Sequence, residues 1–448
     1  MISKHFSLNL SHKIKPYKKN IKVDSDKSLS IRSFLISSIS QDISVVKNVL
    51  ESEDVFSTIF SLKKLGVKIV KIKPGCYQIF GKGLGSLFAK KNLKLNFGNS
   101  GTLARLLIGI LSTTPDIEVN IQGDHSLNKR SMKKLILLMS EFGAEFLPKN
   151  KFNFPLKLIS TEIPVGINYR AGISAQLKSA VMLAGLNAYG VTEIIEEKNS
   201  RNHTENILKK DPRVIKIKKG KKNLIQIFGK RSLSSINIKI PGDPSSAAFF
   251  TALTLLNKNS SLKIKNVGLN PTRTGFYELL KKNGANINFN NKKNQNNETI
   301  GDISIKSGKL KSIKASKDYY EKTTDEFPIL FCIAALTKGI SVFTGIEDLA
   351  NKESNRIKEM QKILRQIGVK SFATKDRLKI YGKNFIEKDN KKIIVPNLGD
   401  HRICMSAAVL ALVTGIKTNI KNFETVKTSS PNFLNLIKYL GAKFEISK

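Results

Sequence analysis

The clearest pattern in the chain is a recurring helix-like run that ends at a turn and is followed by a short strand-like run. A glycine directly after a helical pattern is typical of a helix C-terminus, because only glycine adopts the left-handed conformation freely. Five copies are clear and a sixth is degenerate: Phe60–Gly66 then VKIVKI, Leu135–Gly143 then AEF, Leu279–Gly284 then ANINF, Ile363–Gly368 then VKSF, Leu434–Gly441 then AKFEI, and Asn206–Asp211 then PRVIKIKK. A recurrence of roughly 70–85 residues is too long for a solenoid and suits a repeated α/β subdomain. The predicted fold class is therefore α/β or α+β.

The length of 448 residues predicts two domains of roughly 200 residues each. The segment KIPGDPSS, residues 239–246, interrupts helix and strand patterns with two prolines and a glycine, so it is the candidate crossing between domains. Ser245 is the predicted cap of a helix starting near Ala247, and Ser28 or Ser30 is the predicted cap of the helical run Phe34–Ile39. The Asn-rich stretch Asn288–Asn297 is predicted to be an exposed loop.

The formal charge of +41 is unusual for a chain with 40% apolar and 25% charged residues. The lysines are scattered and rarely interleaved with aromatic residues, which favours a solvated surface over a groove for single-stranded nucleic acid. Three cysteines without a CxxC pair predict neither disulfides nor a metal site, and indicate a reducing compartment. The first 20 residues lack the apolar core of a signal peptide, and no apolar run reaches about 18 residues, so the expected location is the cytoplasm, away from membranes.

A second pattern is a set of polar turns that open predicted helices and carry Lys or Arg. The basic members are Lys27 and Arg32 in DSDKSLSIR, Lys129 and Arg130 in GDHSLNKRSM, Lys178 in SAQLKSA, Arg201 in SRNHTENIL, Lys352 and Arg356 in NKESNRIKEM, and Arg402 in GDHRICMSAA. A helix start carries partial positive charge, so stability alone does not favour a cation there. Free N–H groups and the planar arginine fork suit phosphate and carboxylate groups. Each turn alone is an ordinary capped helix, but together they indicate a site for small polyanionic substrates.

Two further turns bear on chemistry. In FGNSGTLARLL, Gly98 and Gly101 allow the backbone to approach a ligand, although the segment is not a Walker loop. Asp325 and Glu326 precede a strongly apolar helix, where an acid either complements the helix dipole or serves as a general base at a cleft. The glycine-rich GKGLGS matches no dinucleotide-binding fingerprint and is predicted to be a turn.

With these motifs in order, the sequence resembles the 5-enolpyruvylshikimate-3-phosphate (EPSP) synthase family from about Asp24 to the C-terminus. The most specific motifs are GNSGT, SAQLKSAVMLAGLNA, SRNHTE, PGDPSSAAFF, NPTRTG, NKESNR and GDHRI, and several details look closer to the bacterial class II type. The resemblance implies two similar domains, each of three βαβαββ repeats, in the inside-out α/β barrel of enolpyruvyl transferases. It implies an N-terminal domain of residues 27–240, and a C-terminal domain of residues 1–26 and 241–448.

The resemblance also implies the binding residues by motif position. For shikimate 3-phosphate they are Lys27, Ser28, Arg32, Ser174, Ala175, Gln176, Arg201, Asp325 and Lys352. For phosphoenolpyruvate they are Lys27, Asn99, Gly101, Arg130, Gln176, Arg356 and Arg402. No metal or cofactor is implied, and a monomer is expected.

The implied reaction transfers the enolpyruvyl group of phosphoenolpyruvate to the 5-hydroxyl of shikimate 3-phosphate by addition and elimination, in aromatic amino-acid biosynthesis. Asp325 would accept or orient the hydroxyl proton, and Glu353 and Lys27 are the candidate proton donors. Glyphosate would compete with phosphoenolpyruvate. Tolerant members of the family often carry Ala where this chain has Gly101, so inhibition is expected, although Leu106 stands where many sensitive members have proline.

The sequence leaves two alternatives open. The sister enolpyruvyl transferase that acts on UDP-N-acetylglucosamine typically carries a reactive Cys on a mobile loop, whereas Cys76 lies in a strand-like run. A nucleic-acid-binding protein would explain the positive charge, and would show a strongly salt-dependent affinity. The chain also departs from the family pattern: Asp24 and Ser25 replace Pro-Gly, and Ser131 replaces a proline.

Overall fold

The computed structural model describes residues 5–447, which form two compact units. The N-terminal unit comprises Ser25–Ile240 and Gln295–Glu298, and the C-terminal unit comprises residues 5–24, 241–294 and 299–447 of the described chain. Residues 1–4 and 448 of the predicted C-terminal domain lie outside the described residues. The grouping of residues 295–298 with the N-terminal unit could not be predicted from the sequence, because the turn they form lies far along the chain from the rest of that unit.

The elements follow one another in a regular order. Residues 5–24 hold β1 (Ser7–Leu10) and β2 (Lys18–Ile21). Residues 25–240 hold α1 (Lys27–Ile39), β3 (Ile43–Lys47), α2 (Glu53–Lys64), β4 (Lys68–Lys73), β5 (Cys76–Phe80), β6 (Leu93–Asn96), α3 (Gly101–Ser112), β7 (Glu118–Gln122), α4 (His125–Lys129), α5 (Lys133–Glu141), β8 (Glu145–Leu147), β9 (Leu156–Ile159), β10 (Asn168–Ala171), α6 (Ala175–Gly185), β11 (Val191–Glu196), α7 (His203–Leu208), β12 (Ile215–Lys218), β13 (Asn223–Phe228) and β14 (Asn237–Lys239). The remainder holds α8 (Pro244–Leu256), β15 (Ser261–Gly268), α9 (Gly275–Lys282), β16 (Asn286–Gln295), β17 (Glu298–Lys306), β18 (Lys314–Ala315), α10 (Tyr320–Thr323), α11 (Phe327–Ala335), β19 (Gly339–Thr344), α12 (Arg356–Gln366), β20 (Ser371–Ala373), β21 (Arg377–Gly382), β22 (Lys392–Val395), α13 (His401–Thr414), β23 (Lys417–Ile420), α14 (Phe433–Tyr439) and β24 (Glu445–Ser447).

The strands form four-stranded sheets of one recurring design. In the N-terminal unit the strand orders are β14-β3-β5-β4, β6-β7-β9-β8 and β10-β11-β13-β12, and in the C-terminal unit β16-β17-β15-β2, β18-β19-β21-β20 and β22-β23-β1-β24. Each sheet has one parallel pair at an edge, such as β6 with β7, and the next pairing is antiparallel, such as β7 with β9. In four of the sheets a helical segment connects the two parallel strands, as in a βαβ unit, whereas β3 and β14, and β2 and β15, pair although they lie far apart in sequence. The predicted six-copy repeat and the α/β class are confirmed.

The middle of each unit is occupied by helices that are buried on nearly every side. In the N-terminal unit these are α1, α3 and α6, and in the C-terminal unit α8, α11 and α13. Burial all round explains why these helices, with the exception of α3, lack the amphipathic spacing of surface helices. The buried apolar side chains form one large cluster in each unit.

Three segments with the sequence aromatic–Gly–Lys contact the C-terminal ends of three of the central helices. They are residues 80–82 at the end of β5, residues 228–230 at the end of β13 and residues 381–383 at the end of β21. The lysine N–H groups donate to carbonyl groups at the helix ends: Lys82 to Ser38 O at 3.0 Å, Lys230 to Leu186 O at 2.9 Å, and Lys383 to Ala335 O at 2.9 Å. A Cβ added at Gly229 would lie 1.8 Å from Ala188 O, so only glycine permits this approach. The GKGLGS turn begins with the glycine and lysine of the first of these segments.

Three local predictions are wrong. Asp26 caps α1, and neither Ser28 nor Ser30 does, because the helix begins at Lys27 and not later in the motif. Asp243 caps α8, with Pro244 as its first residue, so Ser245 lies inside the helix. The Asn-rich stretch forms most of the long strand β16, which pairs with β17, although many of its side chains are exposed as expected.

Among residues 5–447, no helix has the length and apolar composition to cross a membrane. Within the same residues, no cluster of His, Cys, Asp and Glu has an arrangement that could hold a metal ion. The three cysteines are buried and free.

Candidate active site

Lys27 stands at the beginning of α1, where Asp26 accepts a hydrogen bond from the N–H of Leu29 at 2.8 Å. The Lys27 ammonium group donates to Asp54 Oδ2 at 2.9 Å, and Asp54 is buried in the first turn of α2. Asp54 is absent from the predicted set, because an acid in the first turn of a helix is ordinary dipole complementation. The pair holds the Lys27 side chain in place at the N-terminal end of α1.

Arg32 lies one turn further along α1 and is buried. Its Nε donates to Thr204 Oγ1 at 3.0 Å, its Nη2 to Ser179 Oγ at 3.3 Å, and its Nη1 to Ser28 O at 3.2 Å. One guanidinium therefore connects α1 with α6 and α7. Arg201 precedes α7 and is half-buried.

The beginning of α3 carries the second group of predicted residues. Asn99 Nδ2 donates to Asp124 Oδ2 at 2.7 Å, and Asn99 Oδ1 accepts from Arg130 Nη2 at 2.6 Å. Arg130 follows the last residue of α4, so the prediction that it begins a helix is wrong. HSLNK forms a short helix of its own, and Arg130 lies at its C-terminal end. A cation is favourable there, so the position of Arg130 is not by itself a sign of an anion-binding site.

Gln176 connects α6 to the same place. Ser174 caps α6, Ala175 is its first residue, and Gln176 follows. Gln176 Oε1 accepts from Arg105 Nη1 at 3.0 Å, and its Nε2 donates to Thr102 Oγ1 at 3.1 Å. Arg105 is missing from the predicted set, although it lies in the quoted GNSGTLARLL motif.

The predicted residues of the C-terminal unit surround one buried guanidinium, that of Arg356. Its Nε donates to Asp400 Oδ2 at 3.0 Å and its Nη2 to Glu353 Oε2 at 2.6 Å, while its Nη1 lies 3.8 Å from Asp325 Oδ1. Burial favours the neutral form, but Asp400, Glu353 and Asp325 outweigh it and raise the pKa of Arg356. Arg356 is therefore a permanent cation that holds three carboxylates together.

Asp400 is fully buried and is also missing from the predicted set. It caps α13 by accepting from the N–H of Arg402 at 2.9 Å, while its other oxygen accepts from Arg356. One carboxylate thus links the beginnings of α12 and α13. Its place before a helix made it look like a simple cap.

Arg402 differs from Arg356 in its partners. It is 4% exposed, and its Nε and Nη1 have no hydrogen-bond partner among the described residues. The guanidinium lies 5.9 Å from the centre of the Phe249 ring. Buried N–H groups without partners are costly, and an anion is the ligand that an arginine fork satisfies best.

Lys352, next in sequence to Glu353, is held outside this ring of contacts. Its ammonium group donates to Asp348 Oδ2 at 2.5 Å and lies 5.9 Å from the centre of the Tyr320 ring.

The predicted residues thus form two groups, one in each unit. Cations and amides prevail in the first, and carboxylates suited to proton transfer accompany arginines in the second.

Comparison with known proteins gives a consistent result. A family model for EPSP synthase (3-phosphoshikimate 1-carboxyvinyltransferase) matches residues 11–437. The 3-phosphoshikimate 1-carboxyvinyltransferase of Zymomonas mobilis is 37% identical, over 98% of this chain and 97% of its own length. That of Bacillus cytotoxicus is also 37% identical, over 94% and 97%. The chain belongs to the EPSP synthase family.

Solved structures agree with this membership in the EPSP synthase family. The EPSP synthase of Acinetobacter baumannii is 35% identical and superposes with a TM-score of 0.85, over 99% of this chain and 100% of that one. The enolpyruvyl transferase NikO of Streptomyces tendae has a TM-score of 0.76 at 12% identity, which shows a shared fold alone. The UDP-N-acetylglucosamine alternative and the nucleic-acid alternative are not favoured.

Two motifs quoted for the EPSP synthase resemblance have a structural use in this chain. PGDPSS and NPTRTG meet where Arg273 Nη2 donates to Asp243 Oδ1 at 3.1 Å and to Ser245 Oγ at 2.9 Å. Ser245 Oγ in turn donates to Glu326, the neighbour of Asp325. This buried chain fixes the beginning of α11, on which the position of Asp325 depends.

A cavity of about 760 Å³ in the N-terminal unit lies apart from these residues. It is lined by Gln41, Asp42, Gly81, Lys82, Gly83, Leu84, Gly85, Ser86, Pro115, Asn187, Lys230 and Ser232. Among these residues Gln41, Pro115 and Asn187 follow the C-terminal ends of α1, α3 and α6, whereas Lys27, Gly101 and Ala175 begin the same helices. The cavity is therefore at the far ends of the helices that position the candidate site.

Proposed function

We propose that this enzyme transfers the enolpyruvyl group of phosphoenolpyruvate to the 5-hydroxyl of shikimate 3-phosphate and releases phosphate. Membership in a family of 3-phosphoshikimate 1-carboxyvinyltransferases supports the reaction. Both substrates are small polyanions, and the two groups of side chains offer the arginines, lysines and amides that such anions need.

The observation that carries this proposal is the state of Arg402. A buried guanidinium with two N–H-bearing atoms lacking partners among the described residues is suited to a phosphate or carboxylate. Arg356, beside it through Asp400, is already matched by carboxylates. Arg402 is thus the proposed primary anchor for phosphoenolpyruvate, with Arg356 as its oriented neighbour.

The remaining assignments follow the same chemistry. Shikimate 3-phosphate is proposed to bind Lys27, Ser28, Arg32, Ser174, Ala175, Gln176, Arg201, Asp325 and Lys352. Phosphoenolpyruvate is proposed to bind Lys27, Asn99, Gly101, Arg130, Gln176, Arg356 and Arg402. Lys27 and Gln176 serve both substrates in this scheme. The contacts of Arg32 with Ser179 and Thr204, and those of Gln176 with Arg105, hold these residues in defined orientations.

The proposed chemistry has two stages. In the addition, Asp325 accepts the proton of the 5-hydroxyl, the oxygen bonds to C2 of phosphoenolpyruvate, and C3 gains a proton. In the elimination, C3 loses a proton, the C2–O bond to phosphate breaks, and phosphate leaves with the electron pair. Glu353 and Lys27 are the proposed donors and acceptors of the C3 proton. Arg356, which contacts both Asp325 and Glu353, keeps the two carboxylates oriented.

A phosphate-release assay tests this proposal. Release should require both substrates, and UDP-N-acetylglucosamine should not replace shikimate 3-phosphate. Arg402→Lys keeps the charge and loses the fork, so the phosphoenolpyruvate KM should rise roughly tenfold, the loss of about 1.4 kcal/mol of charge-assisted hydrogen bonding.

The matched control is Arg377→Lys, a change at an exposed arginine on β21 of the same unit. It should leave both KM values unchanged. Release without shikimate 3-phosphate would contradict the reaction, and an unchanged phosphoenolpyruvate KM in Arg402→Lys would contradict the anchor. The monomeric state, the cytoplasmic location, the class II type and inhibition by glyphosate stay predictions.

A further inference from the structure

Lys178, in the second turn of α6, has no exposed surface. Its Nζ lies 2.5 Å from Glu196 Oε1 and 2.6 Å from Glu205 Oε1, and both glutamates are buried. Placing a charge in the interior costs several kcal/mol before its partners offset the loss of hydration. Buried ion pairs often contribute little net stability, so a stabilising role does not explain why Lys178 and the two glutamates are buried together. The position of the cluster within the unit offers another explanation.

The two glutamates hold either side of the segment that carries Arg201. Glu196 ends β11 and accepts from the N–H of Ser200 at 2.9 Å and from its Oγ at 3.0 Å. Glu205 lies in the first turn of α7. Lys178 therefore ties residues 196–205 to α6 at two points, with Arg201 between them.

The same contacts set the position of Arg32. Ser179, the neighbour of Lys178, and Thr204, the neighbour of Glu205, are hydrogen-bonded to each other at 2.8 Å. Both accept from the Arg32 guanidinium. A shift of α7 against α6 would therefore displace Arg32 and Arg201 together.

We propose that Lys178 is a positioning residue that aligns Arg32 and Arg201 for the phosphate group of shikimate 3-phosphate. This inference rests on the proposed function. It assigns Lys178 no contact with substrate; it acts through Glu196 and Glu205. Lys178→Met would leave two carboxylates side by side in the interior, and their repulsion would separate β11 from α7.

The charge count suggests a sharp test. The native cluster has one cation and two carboxylates, a net charge of −1; Lys178→Met gives −2, and Lys178→Met with Glu205→Gln returns to −1. The single variant should raise the shikimate 3-phosphate KM by roughly tenfold to a hundredfold, the usual effect of a misplacement of about 1 Å. The phosphoenolpyruvate KM should change by less than about threefold, and the double variant should recover much of the loss.

The experiment measures both KM values, kcat, thermal stability and the calorimetric Kd of shikimate 3-phosphate on the full chain. The control is Lys222→Met, which removes an exposed lysine paired with Glu197 in the same unit and should change neither KM nor Kd. If Lys178→Met does not fold, Glu205→Gln alone serves, and a severalfold rise in the shikimate 3-phosphate Kd is expected.

The outcomes separate the two proposals. Lower thermal stability with an unchanged shikimate 3-phosphate KM and Kd would show a structural role alone and overturn the inference. An equal rise in both KM values would overturn it too. Failure of the native enzyme to release phosphate from the two substrates would instead defeat the proposed function, and it would appear before any variant is made.

Discussion

Replacement of Gly101 by alanine tests how the beginning of α3 serves the proposed phosphoenolpyruvate site. Gly101 is the first residue of α3 and has helical backbone geometry, so alanine fits the backbone. Its added Cβ would lie 2.7 Å from Arg105 Nη1 and 3.3 Å from Arg130 Nη1. The first distance is too short for a real contact, and the Arg105 side chain has to move.

The magnitude follows from what Arg105 loses. Its Nη1 donates to Gly101 O and to Gln176 Oε1, both at 3.0 Å. Arg105 is half-buried, so the bond to Gln176 is worth about 1.5 kcal/mol, at the low end for a charged donor. That loss corresponds to roughly a tenfold rise in the phosphoenolpyruvate KM. Glyphosate is longer than phosphoenolpyruvate, so its inhibition constant should rise by a larger factor in a site with little spare volume.

The assay is steady-state phosphate release at varied phosphoenolpyruvate, with and without glyphosate, for the native enzyme, Gly101→Ala, Arg105→Met and the double variant. If the methyl acts through Arg105, the double variant should match either single variant, because contacting residues are not additive. Gly220→Ala is the matched control, since its Cβ meets only Lys222 O at an ordinary 3.4 Å.

Two results would refute this reasoning. Additive effects in the double variant would show that the methyl acts elsewhere than on Arg105. A native enzyme that glyphosate does not inhibit would show that Gly101 does not control the pocket, and would direct attention to Leu106, which is buried on α3.

Other variants test the proposed chemistry and the fold. Asp325→Asn should lower kcat by roughly 10²–10⁴-fold with thermal stability retained, the range for loss of a general base; a near-native kcat would exclude that role. Gly229→Ala places a Cβ 1.8 Å from Ala188 O and should cost roughly 1–3 kcal/mol in urea unfolding, whereas Gly220→Ala should cost little. Acid should destabilise the N-terminal unit: Glu196 has a lowered pKa because Lys178 and hydrogen bonds overcome burial, and Asp211 has a lowered pKa through its bonds from Arg213. Such carboxylates stabilise the fold above their unfolded pKa of about 4, and this contribution is lost as pH falls through the folded pKa. The urea concentration at the unfolding midpoint should therefore fall as the pH is lowered below about 4.5. This fall should be less steep in Asp211→Asn than in the native protein.

The repeat could be predicted from the sequence because it is written in local signals. A helix that ends at a turn and precedes a short strand needs only neighbouring residues to specify it, and all six copies, five of them with glycine at the turn, form this arrangement in the structure. The long strand β16 could not be predicted in this way. Its asparagines favour turns, and it extends only because β17 pairs with it.

The candidate site depends on contacts between residues that are far apart in sequence, and local sequence patterns do not predict such contacts. Asp54 and Asp400 look like ordinary acids at helix beginnings, and their second role appears only when Lys27 and Arg356 are brought to them. The prediction that Arg130 begins a helix was wrong, because a five-residue helix ends directly before it and places it at a C-terminal end. The resemblance supplied the substrate-binding candidates, but the partners that orient them are visible only in three dimensions.

The charge of the chain and the charge of the candidate site are separate matters. The chain carries +41, yet the Arg356 guanidinium alone faces three carboxylates, those of Asp325, Glu353 and Asp400. A surplus of surface lysine can steer anionic substrates over long range, and salt screens that effect. It cannot orient a carboxylate that accepts a proton. Within the candidate site, selectivity for an anion therefore depends on the buried Arg402 guanidinium, whose backbone is held in the first turn of α13 by the Asp400 cap, and not on an excess of positive charge.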